Sequence, residues 1–496
     1  MPSTTDRQNI LLITTDQHRY DALGCYGAPV CRTPNIDGLA ERGVRFDAAY
    51  TPTSPCSPAR AALFTGLYPH KNHVAVNNQV LNADVPNLAS VLRDAGYNLG
   101  YAGKWHVDEA KVPTDYGFKG KDFPGYGYPP AGGVIEGLHF MEGLMPISLY
   151  PQYLQEHGYE TPRVLEALYG QNPGQGRHEV YALQSGELEA SFEYMASEFA
   201  IELMQQFKGD WEREGKPFFL WTSFWGPHTP CLIPEPYYSM YDPTSVPPEP
   251  SFVETWERKP YVQELFERFW GLRDIGWEGW QGIIARYWGY VTMIDDLVGR
   301  MLEALRDLGL GKDTLVVFTT DHGDMMGAHR LIEKGPFTYD QVYRLPMVAA
   351  HPDCEEPGSV CEEFVYLHDL FPTFLEMAGI APPDVPDSQS ILSSVLGRET
   401  SIGRDSIYTS FQAQVFPFQQ RMVRTRCHKL TYSRSSIGEL YDLVHDPWEM
   451  DNLIDMPETA SVQEELLAKM REHMVRLEDP MLRTFDRVYP IYWRGA

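Results

Sequence analysis

The sequence predicts an α/β protein: a large mixed β-sheet flanked by helices, followed by a smaller C-terminal unit with an antiparallel sheet and a helix. Three short apolar runs each end in a carboxylate or an imidazole, as expected for buried parallel strands that present polar groups at their carboxyl ends. A long stretch with apolar residues at helical spacing lies between the second and third runs. Near the C-terminus, several short strand-like segments precede one amphipathic helix.

The three apolar runs should lie side by side, because ligands in open α/β sheets bind beyond the carboxyl ends of the strands. We therefore expect the polar residues that follow the runs to converge on one site. The runs and the polar residues after them are Asn9–Thr15 with Asp16, Phe218–Phe224 with His228, and Leu315–Thr320 with Asp321, His322, Gly323 and Asp324.

Two helices are predicted between these strands. Pro86–Ala95 is helical in pattern and is followed by Gly96, and Gly282–Leu308 forms a long helix that ends before Gly309. The segment from about 108 to 185 is rich in Gly, Pro and Tyr and is predicted to be a loop-rich insertion. Insertions of this kind often select the substrate.

Two domains are expected: a catalytic domain over residues 1–385 and a smaller C-terminal α/β domain over residues 386–496. The linker-like stretch Ala381–Asp387, with three prolines, separates them. The elements predicted for the second domain are strands at Ser406–Ser410, Gln420–Arg424 and Lys429–Ser433 and a helix at about Ala460–Leu477.

The charge of the chain limits its partners. Its 68 acidic and 41 basic residues give a net charge of −27, whereas nucleic acid binding needs a basic face. A small anionic substrate would be repelled at long range, so clustered local cations or a metal ion are needed to bind it.

The chain is expected to work in the cytoplasm. It has no signal-peptide pattern and no run near the ~20 apolar residues that a membrane span needs. Its seven cysteines are scattered without CxxC spacing, which fits a reducing compartment. A homo-oligomer is also considered, because Tyr489, Tyr492 and Trp493 make the tail apolar enough for a subunit contact.

The most specific motif surrounds Cys56. The run 55–66 reads Pro-Cys-Ser-Pro-Ala-Arg-Ala-Ala-Leu-Phe-Thr-Gly, and Tyr-Pro-His follows at 68–70. It resembles the signature of the type I sulfatases, which belong to the alkaline-phosphatase-like superfamily. The resemblance implies an alkaline-phosphatase-like fold. It also implies that a formylglycine-generating enzyme oxidises Cys56 to formylglycine (3-oxoalanine).

This modification has a clear chemical purpose. The aldehyde hydrates to a gem-diol, one hydroxyl attacks sulfur, and the second expels sulfate as the aldehyde re-forms, so one difficult displacement becomes two easier steps. Arg60 lies four residues after Cys56, one helical turn away, and its guanidinium is suited to hold the diol oxygens or the metal-ligand shell.

A divalent metal ion is expected beside the diol. Asp16, Gln17, Asp321 and His322 provide two carboxylates, an amide and an imidazole, and Cys56, once modified, would complete the set. The Asp-Gln and Asp-His pairs are similar to those of choline sulfatases and phosphonate monoester hydrolases. An imidazole ligand makes Mn²⁺ as credible as Ca²⁺, and the two remain alternatives.

The resemblance implies further roles. Gly103-Lys104-Trp105-His106 matches the sulfatase Gly-Lys-x-His, so Lys104 would bind sulfate oxygens and His106 would act as the base. His228 would serve the leaving group, and Lys334 would be the second substrate lysine. Asn78 and His329 are further candidates for contacts with the substrate.

The expected function is the arylsulfatase-type hydrolysis of sulfate monoesters, with promiscuity toward phosphonate monoesters and phosphodiesters. The main alternative is a phosphonate monoester hydrolase or phosphodiesterase. Two further hypotheses are that the chain is a metal phosphodiesterase or phosphatase with an unmodified Cys56, or that it is a binding protein without catalytic activity. The second of these is disfavoured, because no motif residue is missing.

Overall fold

The structure is a computed structural model that describes residues 8–120, 149–172, 176–383, 385, 387–398 and 401–492. The strands are β1 Asn9–Asp16, β2 Val44–Phe46, β3 Ala49–Tyr50, β4 Asn98–Gly103, β5 Lys119–Gly120, β6 Val164–Asn172, β7 Gly176–Gln184, β8 Phe218–Pro227, β9 Cys231–Ile233, β10 Thr314–Thr320, β11 Arg344–Leu345, β12 Met347–Ala350, β13 Ser359–Cys361, β14 Val365–Tyr366, β15 Ile407–Phe411, β16 Gln420–Arg424, β17 His428–Ser433 and β18 Glu439–Asp442.

Helices connect and cover these strands. They are α1 Pro34–Glu41, α2 Cys56–Thr65, α3 Pro69–Asn72, α4 Leu88–Asp94, α5 Tyr150–His157, α6 Phe192–Glu214, α7 Tyr261–Trp270, α8 Trp277–Asp307, α9 Asp340–Tyr343, α10 Leu370–Met377, α11 Leu392–Val395, α12 Ala460–Arg476 and α13 Leu482–Tyr492.

The main sheet has eight strands in the order β13-β2-β12-β10-β1-β8-β4-β5. Its centre is parallel: β1 pairs with β10 and with β8, and β8 pairs with β4. Strand β12 runs antiparallel to its neighbours β10 and β2, which makes the sheet mixed. The carboxyl ends of β1, β4, β8 and β10 therefore lie along one edge of the sheet.

The sheet is covered on both faces, which explains why its central strands are apolar without alternation. Along β1, Leu11 and Ile13 pack into the core that α6 and α8 help to form, whereas Ile10 and Leu12 pack into the core that contains α2, α4 and α10. The fold is thus a layer of strands between two layers of helices.

The C-terminal elements form a separate four-stranded antiparallel sheet in the order β15-β16-β17-β18. Helix α12 covers it through Leu466, Leu467, Met470 and Met474. Polar contacts link this sheet to the rest of the chain. One is a 2.8 Å hydrogen bond from the Tyr68 hydroxyl to the Tyr408 carbonyl.

The predicted mixed α/β fold with a small antiparallel sheet is confirmed, and the differences are local. Helix α8 begins at Trp277, earlier than the predicted Gly282, and β18 adds a fourth strand to the small sheet. The predicted insertion contains helix α5 and the nine-residue hairpin strands β6 and β7, so its described part is more regular than expected.

Parts of two predictions lie outside the described residues. These are the parts of the 108–185 insertion at residues 121–148 and 173–175, and the tail contact, for which Trp493 and the side chains of Tyr489 and Tyr492 are not described. Within the described ranges, no helix is both long enough and apolar enough to cross a membrane.

Candidate active site

The site lies where the central parallel strands end. Asp16 is the last residue of β1, Asp321 follows β10 directly, and Lys104 follows β4. Strand β8 leads into His228 through Pro227. Because these strands run in one direction, their ends bring together residues from four separate parts of the chain, as the sequence predicts.

Cys56 is the first residue of α2 and is buried, with 2% of its surface exposed. The helix places it there without a side-chain cap of its own, and Asn77 Oδ1 accepts the backbone N–H of Ser57 at 3.1 Å. Burial raises the pKa of the Cys56 thiol, but Lys334, Lys104 and His322 together lower it well below its usual value. The position therefore favours a negatively charged group.

Four potential metal ligands surround this point. One ligand atom from each of Asp16, Cys56, Asp321 and His322 lies within 4.8 Å of the others. The Cys56 sulfur is 3.1 Å from His322 Nε2 and 3.8 Å from Asp16 Oδ1. His322 Nδ1 donates to the Gly323 carbonyl at 2.8 Å, so Nε2 is the ring nitrogen that faces the group and would bind a metal ion once it has lost its proton. Burial lowers the pKa of His322, but the charges of Asp321 and Cys56 raise it to about 9.

This ligand set fits a divalent cation. Burial and the negative charge of the neighbouring Asp16 raise the pKa of Asp321, as expected when two carboxylates lie close together in a buried site. Two carboxylate oxygens and an imidazole nitrogen are ligand types that a divalent metal ion can accept.

Arg60 bonds both carboxylates of the metal-ligand group, Asp16 and Asp321. Its Nε donates to Asp321 Oδ2 at 2.7 Å, one Nη reaches Asp16 Oδ2 at 3.4 Å, and the other donates to Ser223 Oγ at 2.7 Å. With 1% of its surface exposed, the guanidinium holds both carboxylates in one geometry. Arg60 thus lies one turn from Cys56, as predicted, and contacts the acidic ligands.

Lys104 reaches the site because of a close backbone approach. Gly103 has a φ of +92°, and a Cβ there would lie 2.0 Å from the Ser223 carbonyl oxygen, which accepts the Lys104 N–H at 2.8 Å. The Lys104 ammonium bonds Asp16 Oδ2 and lies 4.3 Å from the centre of a Trp225 ring. It is the nearest described cation to the Asp16 carboxylate.

His106 is a buried imidazole with one described hydrogen bond. Its Nε2–H donates to Asn78 Oδ1 at 2.8 Å, which leaves the Nδ1 lone pair free to take a proton. Burial lowers the pKa of His106 to about 4, so the ring is neutral at neutral pH. Asn78 orients this imidazole, which is a different contact from the substrate contact predicted for it.

His228 and Lys334 form a hydrogen-bonded pair, and the positive charge of Lys334 acts on Cys56. Lys334 Nζ donates to His228 Nε2 at 2.7 Å and to Glu333 Oε2 at 2.8 Å. His228 Nδ1 donates to the Thr229 carbonyl at 2.5 Å, which fixes the ring. Burial lowers the pKa of Lys334, but the Cys56 and Glu333 charges raise it above its usual value, so the Lys334 side chain is an ammonium ion at neutral pH.

The described side-chain contacts of Gln17 and His329 are with other protein side chains. The Gln17 amide oxygen accepts from Lys334 Nζ at 2.8 Å and its NH₂ donates to Asp324, so the side chain bridges these two residues beside the metal-ligand group. His329 Nδ1 bonds Glu254 Oε2 at 2.8 Å. Its ring stacks on Tyr339 with 3.9 Å between the ring centres, so these described contacts are with residues outside the metal-ligand group.

Three polar residues of the site were not assigned a role from the sequence. Ser223 accepts from Arg60, Asp324 orients Gln17, and Glu333 pairs with Lys334. Asp324 and Glu333 stand next to motif residues, so their neighbourhood was the available signal. Nothing local in the sequence marks Ser223, which lies within an apolar strand.

Comparisons with known proteins agree with this arrangement. The sulfatase family model matches residues 8–380, and the model described as N-sulphoglucosamine sulphohydrolase, C-terminal, matches residues 327–476. An uncharacterized sulfatase, YidJ, of Escherichia coli (strain K12) is 28% identical, with 99% of this chain and 93% of that protein covered.

Two further similarities extend over nearly the whole chain. The multifunctional alkaline phosphatase superfamily protein PehA of Trinickia caryophylli is 29% identical over 92% of this chain and 93% of that protein. The crystal structure of the phosphonate monoester hydrolase of Agrobacterium radiobacter aligns with a TM-score of 0.77 and 25% identity, covering 94% and 96% of the two chains. The chain therefore belongs to the sulfatase family and is a hydrolase of the sulfuric-ester class.

Proposed function

We propose that the chain hydrolyses sulfate monoesters of the aryl type through a formylglycine diol made from Cys56, with one divalent metal ion, Ca²⁺ or Mn²⁺. The observation that carries this proposal is the composition of the site around the buried Cys56 side chain. Two carboxylates and an imidazole lie within reach of one metal ion beside it, and Lys104, Lys334 and His106 each help to lower the pKa of its thiol. A formylglycine-generating enzyme would be the maturation partner.

Each described residue then has a task. Asp16, Asp321 and His322 would hold the metal ion, which when bound would lower the pKa of a diol hydroxyl and neutralise charge on the transferring group. Arg60 keeps the two carboxylates aligned. Lys104, bound to Asp16 before the substrate arrives, would turn toward the sulfate oxygens.

The neutral His106 would take the proton from the second hydroxyl when the carbon–oxygen bond to sulfate breaks. Its free Nδ1 lone pair and its pKa of about 4 support a base that is unprotonated at neutral pH. Asn78 keeps the ring in the tautomer that this step needs. Sulfate leaves, and the aldehyde is restored for the next cycle.

The His228–Lys334 pair would supply the proton to the departing oxygen. The 2.7 Å contact between the two side chains allows a proton to move between them. Glu333 anchors Lys334, and Gln17 accepts from it at 2.8 Å, so the ammonium is held next to the imidazole.

A second candidate function is that of a phosphonate monoester hydrolase or phosphodiesterase, whose substrates the same site could also bind. Aryl sulfates, phosphonate monoesters and phosphodiesters each carry one negative charge near neutral pH, so a site built from a metal ion and fixed cations would bind all three. The similarity to a phosphonate monoester hydrolase supports this candidate, whereas the sulfatase Gly-Lys-x-His motif around Lys104 and His106 supports the first.

One comparison separates these candidates. We expect 4-nitrophenyl sulfate to be hydrolysed with a higher kcat/KM than 4-nitrophenyl phenylphosphonate, and both to be hydrolysed measurably. The leaving group is identical, so the ratio reports on the transferred group alone. A higher value for the phosphonate would make the second candidate the main activity.

Mass spectrometry of the tryptic peptide 46–60 would report whether residue 56 is a thiol or an aldehyde.

The role of His228 gives a further prediction. His228→Ala should lower kcat/KM on the order of 10²-fold for phenyl sulfate, which has a poor leaving group, and much less for 4-nitrophenyl sulfate. The physical reason is that nitrophenolate departs without help from an acid. Rates over a series of aryl sulfates measure this difference. Equal losses for every leaving group would remove the acid role from His228.

A further inference from the structure

Glu193 is a buried carboxylate outside the motifs of the family signature. It lies in the first turn of α6, and 2% of its surface is exposed. It makes no described hydrogen bond or ion pair with the metal-ligand group or with Lys334, although its carboxylate is close enough to that of Asp16 for the two charges to repel each other. A carboxylate buried in this way costs free energy unless it is well hydrogen-bonded, so its partners indicate what it does.

Its three described donors belong to two other elements. Glu193 Oε1 accepts the Gly226 N–H and the Tyr290 hydroxyl, both at 2.8 Å, and Oε2 accepts the Trp225 N–H at 3.3 Å. Tyr290 comes from α8, while Trp225 and Gly226 are the last residues of β8 before Pro227. The carboxylate therefore fixes the backbone of β8 at the point where the chain turns toward His228.

This segment carries the site's contacts. The centre of the Trp225 ring lies 4.6 Å from the centre of the His228 ring. Lys104 Nζ lies 4.3 Å from the centre of a Trp225 ring. Gly226 packs against Tyr290 so closely that a Cβ there would lie 2.5 Å from the ring. A shift of the Trp225–Gly226 backbone would therefore move a side chain that touches both His228 and Lys104.

We propose that Glu193 is a positioning residue for the leaving-group acid: it holds the Trp225–Gly226 backbone so that the Trp225 ring keeps His228 aligned beside Lys334. This inference rests on the proposed sulfatase function. A glutamine at 193 would offer one acceptor oxygen, and its NH₂ would face a donor, so at least one of the two backbone N–H groups would lose its partner. Burial raises the pKa of Glu193 to about 7, which agrees with a carboxylate held in an apolar setting.

The test is the dependence of rate on the leaving group. For Glu193→Gln we expect kcat/KM to fall roughly tenfold for phenyl sulfate and no more than about threefold for 4-nitrophenyl sulfate, the range that loss of an orienting partner typically causes. The slope of log kcat/KM against leaving-group pKa should therefore become steeper. In the His228→Ala background, Glu193→Gln should leave the slope unchanged, because the group it orients is gone.

Asp295→Asn is the matched control. Asp295 is also a buried carboxylate, with a pKa that burial raises to about 7, and it accepts two backbone N–H groups, from Asn35 at 3.0 Å and Ile36 at 2.8 Å, away from the site. Both variants should lower Tm. Only Glu193→Gln should change the slope, and an unchanged slope in a folded Glu193→Gln protein would overturn the proposal.

Tyr290→Phe covers the case in which Glu193→Gln does not fold. It removes one of the three donors and keeps the carboxylate, so a selective loss of about two- to threefold on phenyl sulfate is expected. No selective loss would then reject the positioning role. If the wild-type enzyme hydrolyses no sulfate ester, the proposed function fails instead. In that case aryl phenylphosphonates of graded leaving-group pKa would test Glu193 in the same way.

Discussion

Replacing Cys56 with alanine is expected to remove turnover on the order of 10⁴-fold or more while the protein remains folded. The side chain is the proposed source of the nucleophile, and residues that form a covalent intermediate have effects of this size. The fold should persist, because the change removes one sulfur atom from the first turn of α2 and leaves the Arg60 contacts with Asp16 and Asp321 in place. Steady-state rates on 4-nitrophenyl sulfate and a Tm measurement check both parts.

Two further variants sharpen this experiment. Cys56→Ser keeps one hydroxyl but has no second hydroxyl to expel sulfate, so at most one equivalent of nitrophenolate should be released, and the sulfate should stay on the peptide that contains residue 56. Cys31→Ala removes another buried cysteine that packs near Trp288 and Thr292, away from the site, and should keep full activity. Normal turnover in Cys56→Ala would end the nucleophile proposal. Full activity in protein whose Cys56 is shown to be a thiol would favour an unmodified metal phosphodiesterase.

The second large effect is expected at Asp321. Asp321→Asn preserves the shape of the side chain but removes one of the two negative charges that face His322 and Arg60. We expect the bound metal to fall well below one equivalent, and activity to fall on the order of 10³-fold, because the charge that holds the cation is lost. Elemental analysis of the purified protein measures the metal independently of activity.

Asp479→Asn controls for the broken ion pair. Arg421 and Asp479 form a buried ion pair with two contacts, at 2.7 and 3.0 Å, between the small sheet and the segment after α12. Losing a partner from such a pair costs about 3–5 kcal/mol, so both variants should be less stable. Only Asp321→Asn should lose metal. A metal-free wild-type enzyme with full activity would contradict the metal proposal, and restoration after chelation by Mn²⁺ or Ca²⁺ would identify the preferred ion.

Local patterns carried much of the fold. β1 is buried along its whole length, and the apolar run from Asn9 ends at Asp16 as the pattern indicates. Strand β16 coincides with the predicted Gln420–Arg424. These predictions succeed because burial on both faces of a parallel sheet, or on one face of a small antiparallel sheet, leaves its signal in consecutive residues.

The position of the site followed from the same logic, because a parallel sheet must bring its carboxyl ends to one edge. Asp16, Asp321 and His322 therefore meet around Cys56 as the run-and-motif pattern predicts. The hydrogen-bond partners of the site residues could not be predicted from the sequence, because they are distant along the chain. Lys334 and Gln17 are 317 residues apart, and Glu193 and Gly226 are 33 residues apart.

The sequence alone determined which chemical groups are available and which family they indicate: the motif around Cys56 and the carboxylates and imidazole at the strand ends. Tertiary structure alone decided which neighbour each polar group serves. Gln17 turns its amide between Lys334 and Asp324, because one offers only donors and the other only acceptors. His329 turns away to Glu254 and Tyr339. Residue types and spacing specify which groups are available, but the geometry of the packed chain determines which hydrogen-bond partners the buried polar atoms have.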